Sequence, residues 1–176
     1  MDRIVASYRS MKAAEKGASA LEFSLICPVF FAFIFAIFDA GGYMLRDTML
    51  HSAVDMAGRE LRVDGTTRRA ETVGTFRQRV CDRTHFLGSD CSTSLAVEVT
   101  HVTDGTPPPT GGMNCDASQT PATQSLGAAA PLGIIYLRVC YPAESFFPTT
   151  QLGLRLPQDT AGRTMMIAST AYRNEL

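Results

Sequence analysis

The sequence predicts an α+β chain: a long N-terminal transmembrane helix continuing into an amphipathic stalk, a second helix, and a small antiparallel three-stranded sheet with a long Pro/Gly/Thr loop. Three observations predict it. A nearly unbroken apolar run extends from Ala18 to about Tyr43, a helical apolar period carries on to Leu61, and three alternating apolar segments follow from Leu95 onward. Helices that precede the strands, rather than alternating with them, argue against a parallel sheet. A chain of 176 residues holds one modest folded unit with appendages. Its formal net charge of -1 provides no basic field to gather phosphates, which argues against nucleic acid as a partner.

The first element is a basic leader, residues 1–17, carrying Arg3, Arg9, Lys12 and Lys16. The apolar run behind it contains Phe23, Leu25, Ile26, Val29, Phe30, Phe31, Phe33, Ile34, Phe35, Ile37 and Phe38, interspersed with alanine. At ~1.5 Å per residue, Ala18 to Phe38 covers roughly 30 Å, the thickness of a bilayer's hydrocarbon core. The competing reading is a buried core helix, but a domain this small cannot wrap so phenylalanine-rich a rod on every side. Pro28 is compatible with a span, because transmembrane helices tolerate proline where neighbours satisfy the freed carbonyl. The far flank opens with Asp39 and only then Arg46 and Asp47, so the basic N-terminal side is expected in the cytoplasm and residues 44–176 outside. Cys81, Cys91, Cys115 and Cys140 then lie outside, an even set suited to an oxidising compartment, while Cys27 falls within the span 18–43.

Three processing signals combine a basic leader with an apolar run, and the junction separates them. A secretory signal peptide needs a small-x-small site after its apolar region, but here the run is too long and only Ala40, Gly41 and Gly42 offer themselves. A lipoprotein site needs small residues before its cysteine, whereas Leu25 and Ile26 precede Cys27. The third signal cuts before the apolar run, where the chain reads Lys16, Gly17, Ala18, Ser19, Ala20, Leu21, Glu22, Phe23. This resembles a type IV prepilin site, which pairs a glycine ending the leader with a glutamate as fifth residue of the mature chain. Glycine at the cut lets extended backbone approach a peptidase without a side chain in the way. Cleavage between Gly17 and Ala18 by a prepilin peptidase is the expectation.

Glu22 can be read in two ways. A carboxylate costs about 2.5 to 3.5 kcal/mol at the centre of a span and less toward its ends, so it is either a wet boundary residue or a partner for the ammonium of a mature N-terminus in a helix bundle. The run from Gly17 to Glu22 and Phe23, with Pro28 soon after and Asp39, Ala40 and Gly41 at the far end, resembles TadE-like minor pseudopilins. The closing Ala171, Tyr172, Arg173, Asn174 and Glu175 resembles them more weakly, and the sibling TadF proteins share the plan. The resemblance implies a part in assembling the tight-adherence (Tad, or Flp) pilus of bacteria and in surface attachment. It implies an inner-membrane, single-pass protein with a periplasmic domain, with membrane lipid and other pilins or pseudopilins as partners. It also places Glu22, Phe23, Pro28 and Asp39 in helix pairing and assembly.

Beyond the span, Leu45, Met49, Leu50, Ala53, Val54, Ala57 and Leu61 recur at helical spacing and predict the stalk, which Asp64 and Gly65 are expected to end. A second helix is predicted from about Arg68 to Cys81, with Val73, Phe76 and Val80 on one face to pack against the stalk. Strands are predicted from Leu95 to His101, from Ile134 to Tyr141 and from Met165 to Tyr172. The segment 103–131, rich in Thr, Pro, Gly, Ala and Ser, is expected to bury little and to be mobile, pinned by Cys115. Four outer cysteines allow three pairings. Cys81 with Cys91 is favoured because they bracket a short turn, and Cys115 with Cys140 because that bridge ties the loop to the second strand.

Enzymatic readings find little support. His51, His85 and His101 lack metalloprotease spacing, there is no Cys-x-x-Cys, and no phosphate-binding glycine loop occurs. A zinc site from Cys81, His85, Cys91 and His101 is conceivable by count, yet cysteines in an oxidising compartment more often form disulfides. No residue marks an activated thiolate. No catalytic residue, cofactor or metal is therefore assigned. Two functional classes remain: a pilus-assembly subunit whose leader is removed, and an uncleaved single-span protein whose outer domain binds a partner or ligand.

Overall fold

The computed structural model describes residues 18–62, 71–84, 87–102, 107, 109–126, 133–144, 158–159 and 161–173 in full, and residues 2–17 and 63 by their helical backbone. Helix α1 runs from Asp2 to Val63, passing through Pro28 without a break. Its two halves differ in cover. From Ala18 to Leu45 the described side chains are exposed or half-buried, whereas Leu50, Ala53, Val54, Ala57 and Leu61 are buried along one face. Those spacings of three and four residues lay one stripe against the sheet. The expected stop at Asp64 and Gly65 lies outside the described residues.

Helix α2 spans Val73–Arg83. It begins at Val73, where Thr72 is extended and caps it, and the expected start near Arg68 lies outside the described residues. The Thr72 hydroxyl accepts from the Thr75 amide at 3.3 Å, and the Thr75 hydroxyl accepts from the Thr72 amide at 3.0 Å. The next amides are taken from outside the helix: Val73 donates to the Gln124 carbonyl and Gly74 to that of Ala122, both at 2.8 Å. Donors that a helix start leaves unpaired are thus satisfied by a distant loop. Val73, Phe76 and Val80 are buried, as their spacing predicts. Across to α1, Glu60 pairs with Arg79 and Arg83, and Arg79 also reaches the buried Glu71 at 2.9 Å. The bond from Arg83, more than any other influence, holds the Glu60 carboxyl below its usual range.

A short helical turn, α3 (Cys91–Ser94), leads into the sheet. Strands β1 (Ala96–Val102), β2 (Ile134–Ala143) and β3 (Thr164–Arg173) form an antiparallel sheet in the order β1-β2-β3. Ile135, Leu137 and Val139 of β2 and Met166 and Ala168 of β3 share the core with the buried stripe of α1 and with Phe76 and Val80 of α2. Small residues set the approach of α1 to β3. A Cβ on Gly58 would stand 2.9 Å from the Thr170 methyl group.

The described part of the long connection between β1 and β2 is mostly exposed or half-buried, in line with the expectation that it buries little, with two exceptions. Leu126 is buried completely and Met113 almost so. Met113 packs with Ala96 and Cys140 on the sheet face opposite α1, joined at the edge by Cys115, Met165 and Ile167. The loop covers that face because an uncovered apolar face is costly, and its backbone finds partners in α2 and in two arginines. The Leu126 amide donates to the Glu71 carbonyl at 3.0 Å.

Candidate functional site

The span supplies the first part of the site. Along the continuous helix Glu22 and Asp39 are separated by ~26 Å, a distance comparable to the thickness of a hydrocarbon core. Ala18, Glu22, Phe23 and Pro28 are exposed, and Asp39 is half-buried. Glu22 has no hydrogen-bond or ion-pair partner among the described residues. The backbone is helical through Gly17 and Ala18, which puts Ala18 and Glu22 one turn apart on the same side. Pro28 has no amide to donate, so the Ser24 carbonyl loses its helical partner. The Ser24 hydroxyl donates to the Leu21 carbonyl at 2.9 Å. Phe31 stacks on Phe35 with ring centroids 6.1 Å apart, and Phe30 meets Phe31 edge-on.

The most apolar part of α1 is long enough and apolar enough to cross a membrane, and among the described residues none of that stretch is buried. A soluble domain would bury such a surface. The side chains from Leu21 to Phe38 project outward, with Phe23 71% and Phe33 68% exposed.

Residues 17–59 match the family model for TadE-like protein. The TadE-like segment starts at Gly17 and takes in the apolar run together with the buried stalk residues Leu50, Ala53, Val54 and Ala57. The sheet, the β1–β2 loop and Cys81, Cys91, Cys115 and Cys140 lie beyond it. The chain matches no curated protein and no solved structure at a significant level.

In the folded domain, disulfides join Cys81 to Cys91 and Cys115 to Cys140, with Cα separations of 5.8 and 5.2 Å. The first ties the end of α2 to α3, and the second ties the β1–β2 loop to β2. With the sulfurs of Cys81 and Cys91 bonded to each other, neither is a thiolate for zinc. His51 and His101 are exposed, and His85 lies outside the described residues.

Two arginines that the sequence does not single out hold the loop. Arg77 is buried on α2 and donates from Nη2 to the carbonyls of Ala117 and Thr120 at 2.9 and 3.0 Å. Burial pulls its pKa down from the usual guanidinium value. Arg138 of β2 donates to the Gly111 carbonyl at 2.7 Å and faces Glu98 at 3.3 Å. A partial signal exists for the first: Arg77 sits between Phe76 and Val80, where a solvated helix face would not place a lone cation.

Proposed function

We propose that the chain is a minor pseudopilin of a tight-adherence pilus, cleaved between Gly17 and Ala18 by a prepilin peptidase. The supporting observation is that the TadE-like match begins at Gly17 and covers an apolar stretch of helix whose described side chains are not buried. On this reading the basic leader stays in the cytoplasm, residues 18–43 lie in the inner membrane, and the domain 44–176 with its disulfides is periplasmic. Proteins of this kind act by assembly, so no catalytic group is required.

Glu22 and the new amino terminus would form the contact that sets register between neighbouring pilin helices, an ion pair much stronger in low dielectric than at a wet surface. Phe23, Pro28 and Asp39 lie on the same helix and would meet those neighbours or lipid. Sequencing the N-terminus of protein from its native host tests the cut. The expected first residue is Ala18, and replacing Gly17 with tryptophan leaves the leader attached. An intact Met1 on the mature protein would favour the uncleaved anchor. Glu22→Ala is expected to insert yet assemble poorly, with Glu22→Asp keeping part of the function. Normal attachment by cells carrying Glu22→Ala would reduce Glu22 to a boundary residue.

A further inference from the structure

The geometry points to a binding site for a zwitterionic, primary-amine phospholipid headgroup, of the phosphatidylethanolamine type, at the membrane-proximal end of the domain, given that α1 spans the bilayer in the proposed way. A cavity of about 290 Å³ there is lined by Arg46, Gly88, Asp90, Tyr141, Glu144 and Arg163 among others.

Its height follows from the helix. Arg46 lies three residues past Tyr43, ~5 Å along the axis. Gly58, twelve residues further, meets Thr170, and Thr170 is six strand residues from Thr164. These are rises of ~18 Å and ~20 Å respectively, so β3 runs beside α1 away from the membrane. Its Thr164 end, and the Ala143 end of β2 paired with it, are level with Arg46. The Arg46 Nη1 donates to the Glu144 carbonyl at 3.0 Å, which fixes that level directly.

The lining carries both signs. Arg46 and Arg163 supply guanidinium groups, the donors that suit a phosphodiester, with the Arg163 Nε already donating to Asp159 at 2.8 Å. Asp90 and Glu144 supply carboxylates, and both residues are exposed. Asp90 accepts from the Ser94 hydroxyl at 2.9 Å, and its other carboxylate oxygen lies 3.3 Å from the Tyr141 oxygen. The Glu144 carboxylate has no hydrogen-bond or ion-pair partner among the described residues. A simple anion would meet the two carboxylates and a simple cation the two guanidiniums. A headgroup with a phosphate and an ammonium satisfies both. A primary ammonium has three N–H donors to offer, while a quaternary one has none. The turn that carries Asp90 leaves no room at Gly88, where an added Cβ would stand 3.0 Å from the Asp90 carboxylate.

The test uses the full chain in detergent, offered dioleoyl phosphatidylethanolamine, phosphatidylcholine or phosphatidylglycerol, with retained lipid counted by native mass spectrometry. The ethanolamine lipid is expected to be retained about tenfold more than the choline lipid, the size of one charge-assisted hydrogen bond. Phosphatidylglycerol should show no advantage over the choline lipid. Glu144→Gln leaves the backbone carbonyl that binds Arg46 in place, and it should abolish the preference without changing choline-lipid retention. Asp90→Asn should act in the same direction. Equal retention of the two zwitterionic lipids, stronger retention of phosphatidylglycerol, or a preference untouched by Glu144→Gln would overturn the site. Reconstitution into nanodiscs separates this from the spanning reading: a chain that inserts without preference refutes the site alone, and one that does not insert refutes both.

Discussion

Tyr141 shows how a single hydroxyl is held. It donates to the Leu87 carbonyl and lies beside Asp90. Burial first, and then the Asp90 charge, push its pKa up to about 12. The folded state therefore favours the neutral phenol more than the unfolded chain does, whose tyrosine titrates near 10. The resulting stability is complete below the unfolded value and is lost as pH rises through about 12. Thermal unfolding of the full chain in detergent should show this alkaline loss, and Tyr141→Phe should abolish the Tyr141 part of it. The same variant should cost about 1 kcal/mol at neutral pH, the worth of one hydrogen bond. Gly88 is a second case, with φ at +78° and its neighbours close. Gly88→Ala should cost about 1 to 2 kcal/mol in the same measurement.

Among the elements, the β1–β2 loop is the one whose role its composition conceals. Leu126 is fully buried, so Leu126→Ala should cost about 2 to 5 kcal/mol in denaturant unfolding. The Cys115–Cys140 bridge spans a sequence separation of 25, and its loss should cost roughly 3 to 4 kcal/mol in the chain-entropy model. Hydrogen exchange in Cys115→Ala/Cys140→Ala should rise around 111–118 and change little at 122–126, where α2 holds the backbone. The helical period of the stalk and the alternation of the strands make the α+β plan legible in the sequence, since both are repeats of local geometry. The loop's packing is not legible there, because it depends on carbonyls meeting Arg77 and Arg138 across the fold, and no local period records that. The start of α2 escapes the sequence for a related reason. Thr72 and Thr75 cap each other, where the more recognisable capping box ends in glutamate or glutamine.

At the scale of the molecule, α1 supplies both the apolar helix proposed to span the membrane and part of the domain core. A chain beginning at residue 44 should fold as a soluble domain with both disulfides, because Leu50, Val54 and Leu61 remain. One beginning at residue 64 should fail to fold, because the sheet loses the helix that covers it. Circular dichroism and size-exclusion chromatography of the two truncations check this. Since Pro28 is the proline within α1, the helix beyond it carries no proline joint between bilayer and sheet. On the proposed reading the domain is therefore the outer arm of a lever. From residue 44 to residue 62 the helix extends ~28 Å, and a change of ~20° in tilt, the average lean of membrane helices, would sweep its outer end through roughly 10 Å. If α1 spans the bilayer as proposed, a tilt applied within the lipid would reach the sheet as displacement.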